Sequence, residues 1–228
     1  MCKRYSMSAE LPEVAQYFQV DKVMFHYRPR FNISPTQEVP IVRLHRGERV
    51  LDAFRWGLVP FWAKDGVNAD LRSVYSNEAY WKMVERQRCV IPCNGFYYWR
   101  QVGKKSYPVR LVLRTRGVFG LAGLYEEWKN AQGETYRTCT IVMTKANPLI
   151  SEFDERMPAI LDADDMAKWL ETGGSVGAGE LEELLQMVKP CCETRMHLYP
   201  VSPLIENDLY DGEDCIAEMN LKAAWVKP

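Results

Sequence analysis

CVIPCNGFYYW, residues 89–99, sets two apolar runs on either side of Pro-Cys-Asn-Gly. That pattern reads as a strand, a turn and a second strand. Downstream, further strands are predicted at 107–113, 118–123 and 138–143, with GKK at 103–105 and RTRG at 114–117 as turns. Upstream, the apolar run 39–44 meets a hairpin turn at Arg46, Gly47 and Glu48 and returns through 50–56, which alternates like a half-buried strand. Strands at this spacing predict an antiparallel meander closing toward a barrel. Helices are predicted around it. Leu11, Val14, Ala15 and Phe18 recur at helical spacing within 9–19, with Ser8 as cap; 77–88 ends on Arg86 and Arg88; 162–172 and 180–188 flank the connector GGSVGAG at 173–179. SEFDERMPAIL at 151–161 reads as a loop with a short helix entering a strand, and the tail as one strand followed by an extended acidic segment. The expected fold class is α+β, with a mainly antiparallel, barrel-like β core and peripheral helices in a single domain over 1–228.

The composition agrees with a packed chain. Of 228 residues 47% are hydrophobic and 12% aromatic, which excludes a disordered polymer. No apolar run approaches a membrane span and no charged-then-apolar leader is visible, so a cytoplasmic protein is expected, nucleoid-associated when bound to DNA. The net charge of -1 hides an asymmetry: residues 1–120 hold 20 Lys+Arg against 10 Asp+Glu, and the remainder 9 against 20. Either a basic face awaits a polyanion, with the acidic elements turned elsewhere, or two solvated faces simply differ in charge. The seven cysteines include no CxxC pair, and His26 and His45 lie far from them in sequence. Reduced, mostly buried thiols are expected, with no metal and no cofactor.

One cysteine stands apart. Cys2 follows the initiator methionine, and removal of Met1 would leave a residue carrying both a thiol (pKa ~8.5) and a free α-amine (pKa ~8). An aldehyde meeting both groups forms a Schiff base at nitrogen and closes through sulfur to a thiazolidine. The competing reading is an ordinary residue near a frayed chain end. A Trp-, Pro- and Gly-rich stretch, WGLVPFWAKDGVNADLRS at 56–73, is too irregular for one element. Its aromatics beside Lys64 and Arg72 suit single-stranded nucleic acid, although Trp56 and Trp62 equally suit core anchors.

Taken in order, several blocks resemble the SRAP family, the SOS-response-associated peptidases understood as abasic-site processing proteins. They are MCKRY at 1–5, Phe31 with NISP at 32–35, WGLVPFWAKD at 56–65, Asn68-Ala69, RCVIPCNGFYYW at 88–99, GLAGLYEEW at 120–128, TKAN at 144–147, ERMPAIL at 155–161 and PVSPLIEN at 200–207. The resemblance implies the SRAP fold and a role in the DNA damage response. It also implies a covalent DNA–protein cross-link between the N-terminal cysteine, here Cys2, and the aldehyde of an abasic site in single-stranded DNA. By the same resemblance Asn68 matches the asparagine that positions the sugar, and Arg4 matches an arginine placed for phosphate. Trp62 resembles an aromatic near the DNA junction, and Arg72 and Arg156 join the DNA-contacting set.

The chain departs from the pattern at three places. Tyr98 stands where the family has glutamate and Asp154 where it has histidine, both proton-transfer groups there. Asn-Ala-Arg followed two residues later by Glu becomes Asn68-Ala69-Asp70 and Arg72, either an ion pair with its charges exchanged or a short insertion before Arg72-Ser73. Tyr98 can hydrogen-bond or donate a proton and Asp154 can act as base or acid, or both are inert replacements. Three functions follow: slowed abasic-site cross-linking or lyase chemistry; a non-catalytic module for damaged or single-stranded DNA; and a thiol autopeptidase removing its own first residues, for which no histidine partner is apparent.

Overall fold

The computed structural model describes residues 3–58, 66–70, 72, 76–171 and 178–220. The predicted connector at 173–179 lies mostly outside them. Fourteen described strands follow in chain order: β1 (Tyr5–Met7), β2 (Lys22–Val23), β3 (Arg30–Ile33), β4 (Glu38–His45), β5 (Glu48–Trp56), β6 (Asn68–Asp70), β7 (Arg88–Cys93), β8 (Gly95–Val102), β9 (Lys105–Leu113), β10 (Phe119–Lys129), β11 (Thr135–Lys145), β12 (Arg156–Pro158), β13 (Ile160–Leu161) and β14 (Met196–Pro200). The described α-helices are α1 (Leu11–Phe18), α2 (Glu78–Arg86), α3 (Ala163–Leu170) and α4 (Ala178–Gln186).

The α+β class with a barrel core is what the structure contains. Strands β11, β10, β7, β4 and β5 pair in that order, and a parallel pairing of β5 with β11 closes the ring. The β4–β5 connection is a two-residue hairpin in which Arg46 and Gly47 both take positive φ, 54° and 85°, the conformation that matches strand twist. A second sheet, ordered β14-β9-β8-β1-β3, lies against the barrel. Alternation along β8 sends Phe96 and Tyr98 into the main core and Tyr97 into a smaller cluster with Val112, Tyr199 and Ile205 under the C-terminal segment.

The stretch 89–99 does not form a hairpin. β7 runs on through Pro92 and Cys93 and pairs with β4 and β10, whereas β8 starts at Gly95 and joins the other sheet. Asn94 is the corner: its side chain accepts from Ser6 Oγ at 2.9 Å and donates to Ser8 Oγ at 2.7 Å. Gly95 is required there because a Cβ would fall 2.5 Å from Arg110 Nε. Ser8 is thereby tied to Asn94 and caps no helix; α1 starts after Glu10 with Pro in its first turn. Arg88 opens β7 instead of ending a helix, and its buried guanidinium donates to the carbonyls of Trp169 and Glu171, each at 2.6 Å, at the C-terminal end of α3. Hydrogen-bonded turns replace the short helix before ERMP, since Phe153 N and Asp154 N both reach Ile150 O.

β11 is the strand on which closure depends, and Ile141 on it is fully buried. Ile141→Ala should lower the unfolding free energy by about 3 kcal/mol in urea titrations followed by circular dichroism; a loss below about 1 kcal/mol would show that the site collapses freely.

Candidate functional site

β1 lies between β3 and β8, with Tyr5 opposite Ile33 on one side and Phe96 on the other, and its three residues are buried. Arg4, which precedes it, is fixed through its carbonyl, which accepts from Tyr97 N at 3.1 Å. Lys3 and Arg4 line a cleft of about 790 Å³ together with Tyr98, Asp154, Phe153 and Val67. Three of the residues singled out from sequence, Arg4, Tyr98 and Asp154, therefore share one wall system. Asn68 is the neighbour of Val67 on β6, opposite Ile141, and is fully buried. Cys2 and Trp62 lie outside the described residues.

Tyr98 and Asp154 meet on one piece of backbone. The Tyr98 hydroxyl donates to Arg156 O at 3.1 Å, and its ring stacks on Phe153 with centroids 5.8 Å apart. Asp154 Oδ1 accepts from Arg156 N at 3.1 Å. Tyr98 is only 4% exposed, so it acts first as a packed wall and only through its hydroxyl edge as a polar group.

A second depression adjoins, lined by Asp70, Arg72, Lys145, Glu155 and Arg156. Here Asp70 sits between two arginines: Asp70 Oδ2 lies 3.1 Å from Arg72 Nη2 and 3.1 Å from Arg156 Nη1. Burial pushes the Asp70 carboxyl up, but the Arg72 hydrogen bonds and charge, with the Arg156 hydrogen bond, outweigh it and hold the group below its ordinary value. Arg72 and Arg156, placed by sequence as DNA contacts, thus share a carboxylate.

The charge of the cleft departs from expectation. The acidic segment does not extend away but folds back in two 3₁₀ turns, Pro203–Glu206 and Glu213–Cys215. It places Glu206 and Asp208 in the cleft wall. With Asp154, three carboxylates face Lys3 and Arg4. Arg4 donates to Asn32 Oδ1 at 2.8 Å, to Glu206 O at 3.2 Å and to the Asp208 carboxylate. Lys3, Phe153, Glu206 and Asp208 were missed in sequence; Phe153 could have been found as the residue before the departed Asp154. Asp208 carried no signal beyond its acidic surroundings.

The described thiols offer no substitute nucleophile in this cleft. Cys89, Cys93, Cys139, Cys191 and Cys215 are buried, and burial pushes the Cys89 and Cys139 thiols well up. Among the described residues no group of three His, Cys, Asp or Glu is placed to hold a metal ion, and no helix is long and apolar enough to cross a membrane.

A family model described as SOS response associated peptidase (SRAP) matches residues 1–208, and the chain belongs to that family. It is 30% identical over 225 residues to the abasic site processing protein YoqW of Bacillus subtilis, covering 95% of this chain and 99% of the relative. It is 28% identical to the abasic site processing protein HMCES of Gallus gallus over 233 residues, 86% of this chain and 68% of that protein. Among solved structures, a Bacteroides thetaiotaomicron protein superposes with a TM-score of 0.78 at 23% identity, covering 96% of this chain and 100% of its own. A phage-related protein of Bordetella bronchiseptica gives 0.68 at 21% identity, covering 88% and 94% respectively.

Because the folded Asp70 carboxyl titrates below its ordinary value near 3.8, its contribution to stability is complete above that value and is lost as pH falls through the lower, folded one. The stability gap between the protein and Asp70→Asn, read from denaturant titrations between pH 7 and 3, should therefore be constant down to about pH 4 and shrink below it. A gap independent of pH would show that the pair does not set this carboxyl.

Proposed function

We propose that this protein processes abasic sites in DNA, binding the single strand in the cleft and bonding covalently to the ring-opened sugar through Cys2. The observation that carries this reading is that Lys3 and Arg4, directly before the buried strand β1, line the same cleft as Tyr98 and Asp154. Cys2 is the residue directly before the cleft-lining Lys3 in the chain. The similarity to curated abasic site processing proteins over nearly the whole chain supports the substrate.

With Met1 removed, the α-amine adds to the aldehyde carbon and water leaves, giving an imine. The thiol then adds to the imine carbon, its proton passing to nitrogen, and a five-membered thiazolidine closes with one water released overall. Asp154 is the group that carries protons between these steps. Asn68, fully buried beside the cleft-lining Val67, supports that wall of the cleft, and Arg72, Arg156 and Trp62 contact the strand. Tyr98 directs its proton to the Arg156 carbonyl, which supports slow chemistry, since an absent general acid or base typically costs ~100-fold to 10,000-fold. The whole chain, 1–228, acts as one domain in this reading.

Incubating the protein, freed of Met1, with an oligonucleotide carrying an abasic site should give a shifted band on a denaturing gel, absent for Cys2→Ala. Long incubation with no band, beside a reacting family member, sinks the covalent reading. Asp154→His should raise the cross-linking rate by at least about ten-fold, because an imidazole titrates near the working pH; an unchanged rate would remove Asp154 from the chemistry.

The acidic wall of the cleft and the committed Tyr98 hydroxyl favour one second reading, a module that binds damaged or single-stranded DNA without reacting. It predicts salt-sensitive binding that Cys2→Ala leaves unchanged, with no covalent band.

A further inference from the structure

Arg4 is the least exposed cation of the cleft wall, with 12% of its side chain accessible, yet its ion-pair partner Asp208 is 66% accessible. The two ends of this pair are held very differently. Arg4 is fixed by Asn32 Oδ1 at 2.8 Å and by the Glu206 carbonyl at 3.2 Å, independently of Asp208. The segment that carries Asp208 is likewise anchored without it. Asn32 Nδ2 lies 3.1, 3.0 and 2.7 Å from the carbonyls of Ile205, Asn207 and Tyr210, one of its two protons being shared, so the chain on both sides of Asp208 is wrapped around one amide. Just beyond, the Asp211 carboxylate accepts from the backbone of Phe31 and Asn32, each at 2.7 Å, and pairs with Arg30. The Asp208 side chain can therefore leave Arg4 while its segment stays folded.

A carboxylate and a phosphodiester present the same group to a guanidinium, an anionic oxygen pair suited to its forked donors. We propose that Asp208 is an internal stand-in for a DNA phosphate on Arg4, so that a strand entering the cleft must displace it, and that this exchange sets the affinity of the cleft for DNA. The inference rests on the DNA reading above and adds to it the residue that opposes binding. The geometry favours ready exchange. An ion pair with one exposed, flexible partner is a weak tie, whereas a strand brings several phosphates at once and releases counterions as it is neutralised. Asp208 keeps Arg4 compensated when no strand is bound and penalises ligands too short to repay its displacement.

The test is a double-mutant cycle read by fluorescence anisotropy with a labelled single-stranded oligonucleotide at several salt concentrations. Asp208→Asn should tighten binding about three- to ten-fold at low salt and steepen the dependence of log affinity on log salt by up to about one. Glu213→Gln removes an equal charge from the same segment away from Arg4 and should change affinity by less than about two-fold. In an Arg4→Gln background the gain from Asp208→Asn should vanish. The proposal is overturned if Asp208→Asn binds DNA no better than the parent, if Glu213→Gln tightens binding as much, or if the gain persists without Arg4. Circular dichroism of each variant confirms that the segment remains folded, and Asp208→Glu, which retains the charge, should bind like the parent. Absence of binding by every variant, parent included, overturns the DNA reading and this inference with it.

Discussion

One edge of β11 does two jobs in succession. At Thr138 and Cys139 it pairs in parallel with Arg55 and Trp56 of β5 and closes the barrel; three residues on, at Ile141 to Met143, the same edge receives β6. Closure removes the exposed edges of the five-stranded ring. It also means that Asn68, Ala69 and Asp70 are positioned by backbone hydrogen bonding to the barrel itself and not by a loop. The other edge of β11 pairs with β12 through Arg156. The two strands that carry Asp70 and Arg156 of the second depression therefore flank one central strand, and Asp70 can reach Arg156 across it at 3.1 Å.

Onto this scaffold the second sheet brings the N-terminal end. A three-residue strand is too short to hold itself, but β1 is hydrogen-bonded on both sides and its side chains are buried. Tyr5 packs edge-on against Trp56, whose indole donates to Val67 O at 2.8 Å, so the core of the barrel, the β6 lead-in and the chain's beginning share one contact. The arrangement brings Lys3 and Arg4 to the same cleft as residues from β8 and the turn before β12.

Charge compensation runs through the whole site. Asp70 sits between Arg72 and Arg156, Asp208 lies on Arg4, and Asp211 on Arg30. The basic front half and the acidic back half of the sequence are thus not two separate faces. They are interleaved, because the acidic segment after β14 folds back over β3 and the Arg4 side chain. A cleft so compensated carries little standing positive potential.

The class of fold, the main strand runs at 39–44, 50–56, 107–113, 118–123 and 138–143, and the family were legible in the sequence, since alternation, turn residues such as Arg46-Gly47 and ordered motif blocks are local properties. The cleft-lining residues Arg4, Tyr98 and Asp154 were legible as motif positions too. What pairing each strand makes was not: CVIPCNGFYYW has the local form of a hairpin, and only the non-local tie of Asn94 to Ser6 and Ser8, with Arg110 pressed against Gly95, sends its second half to another sheet. Likewise, nothing near Asp208 in the chain announces a partner 204 residues away. Sequence patterns encode which faces must be buried; which distant groups then meet is decided by the closed packing of the barrel and its neighbouring sheet.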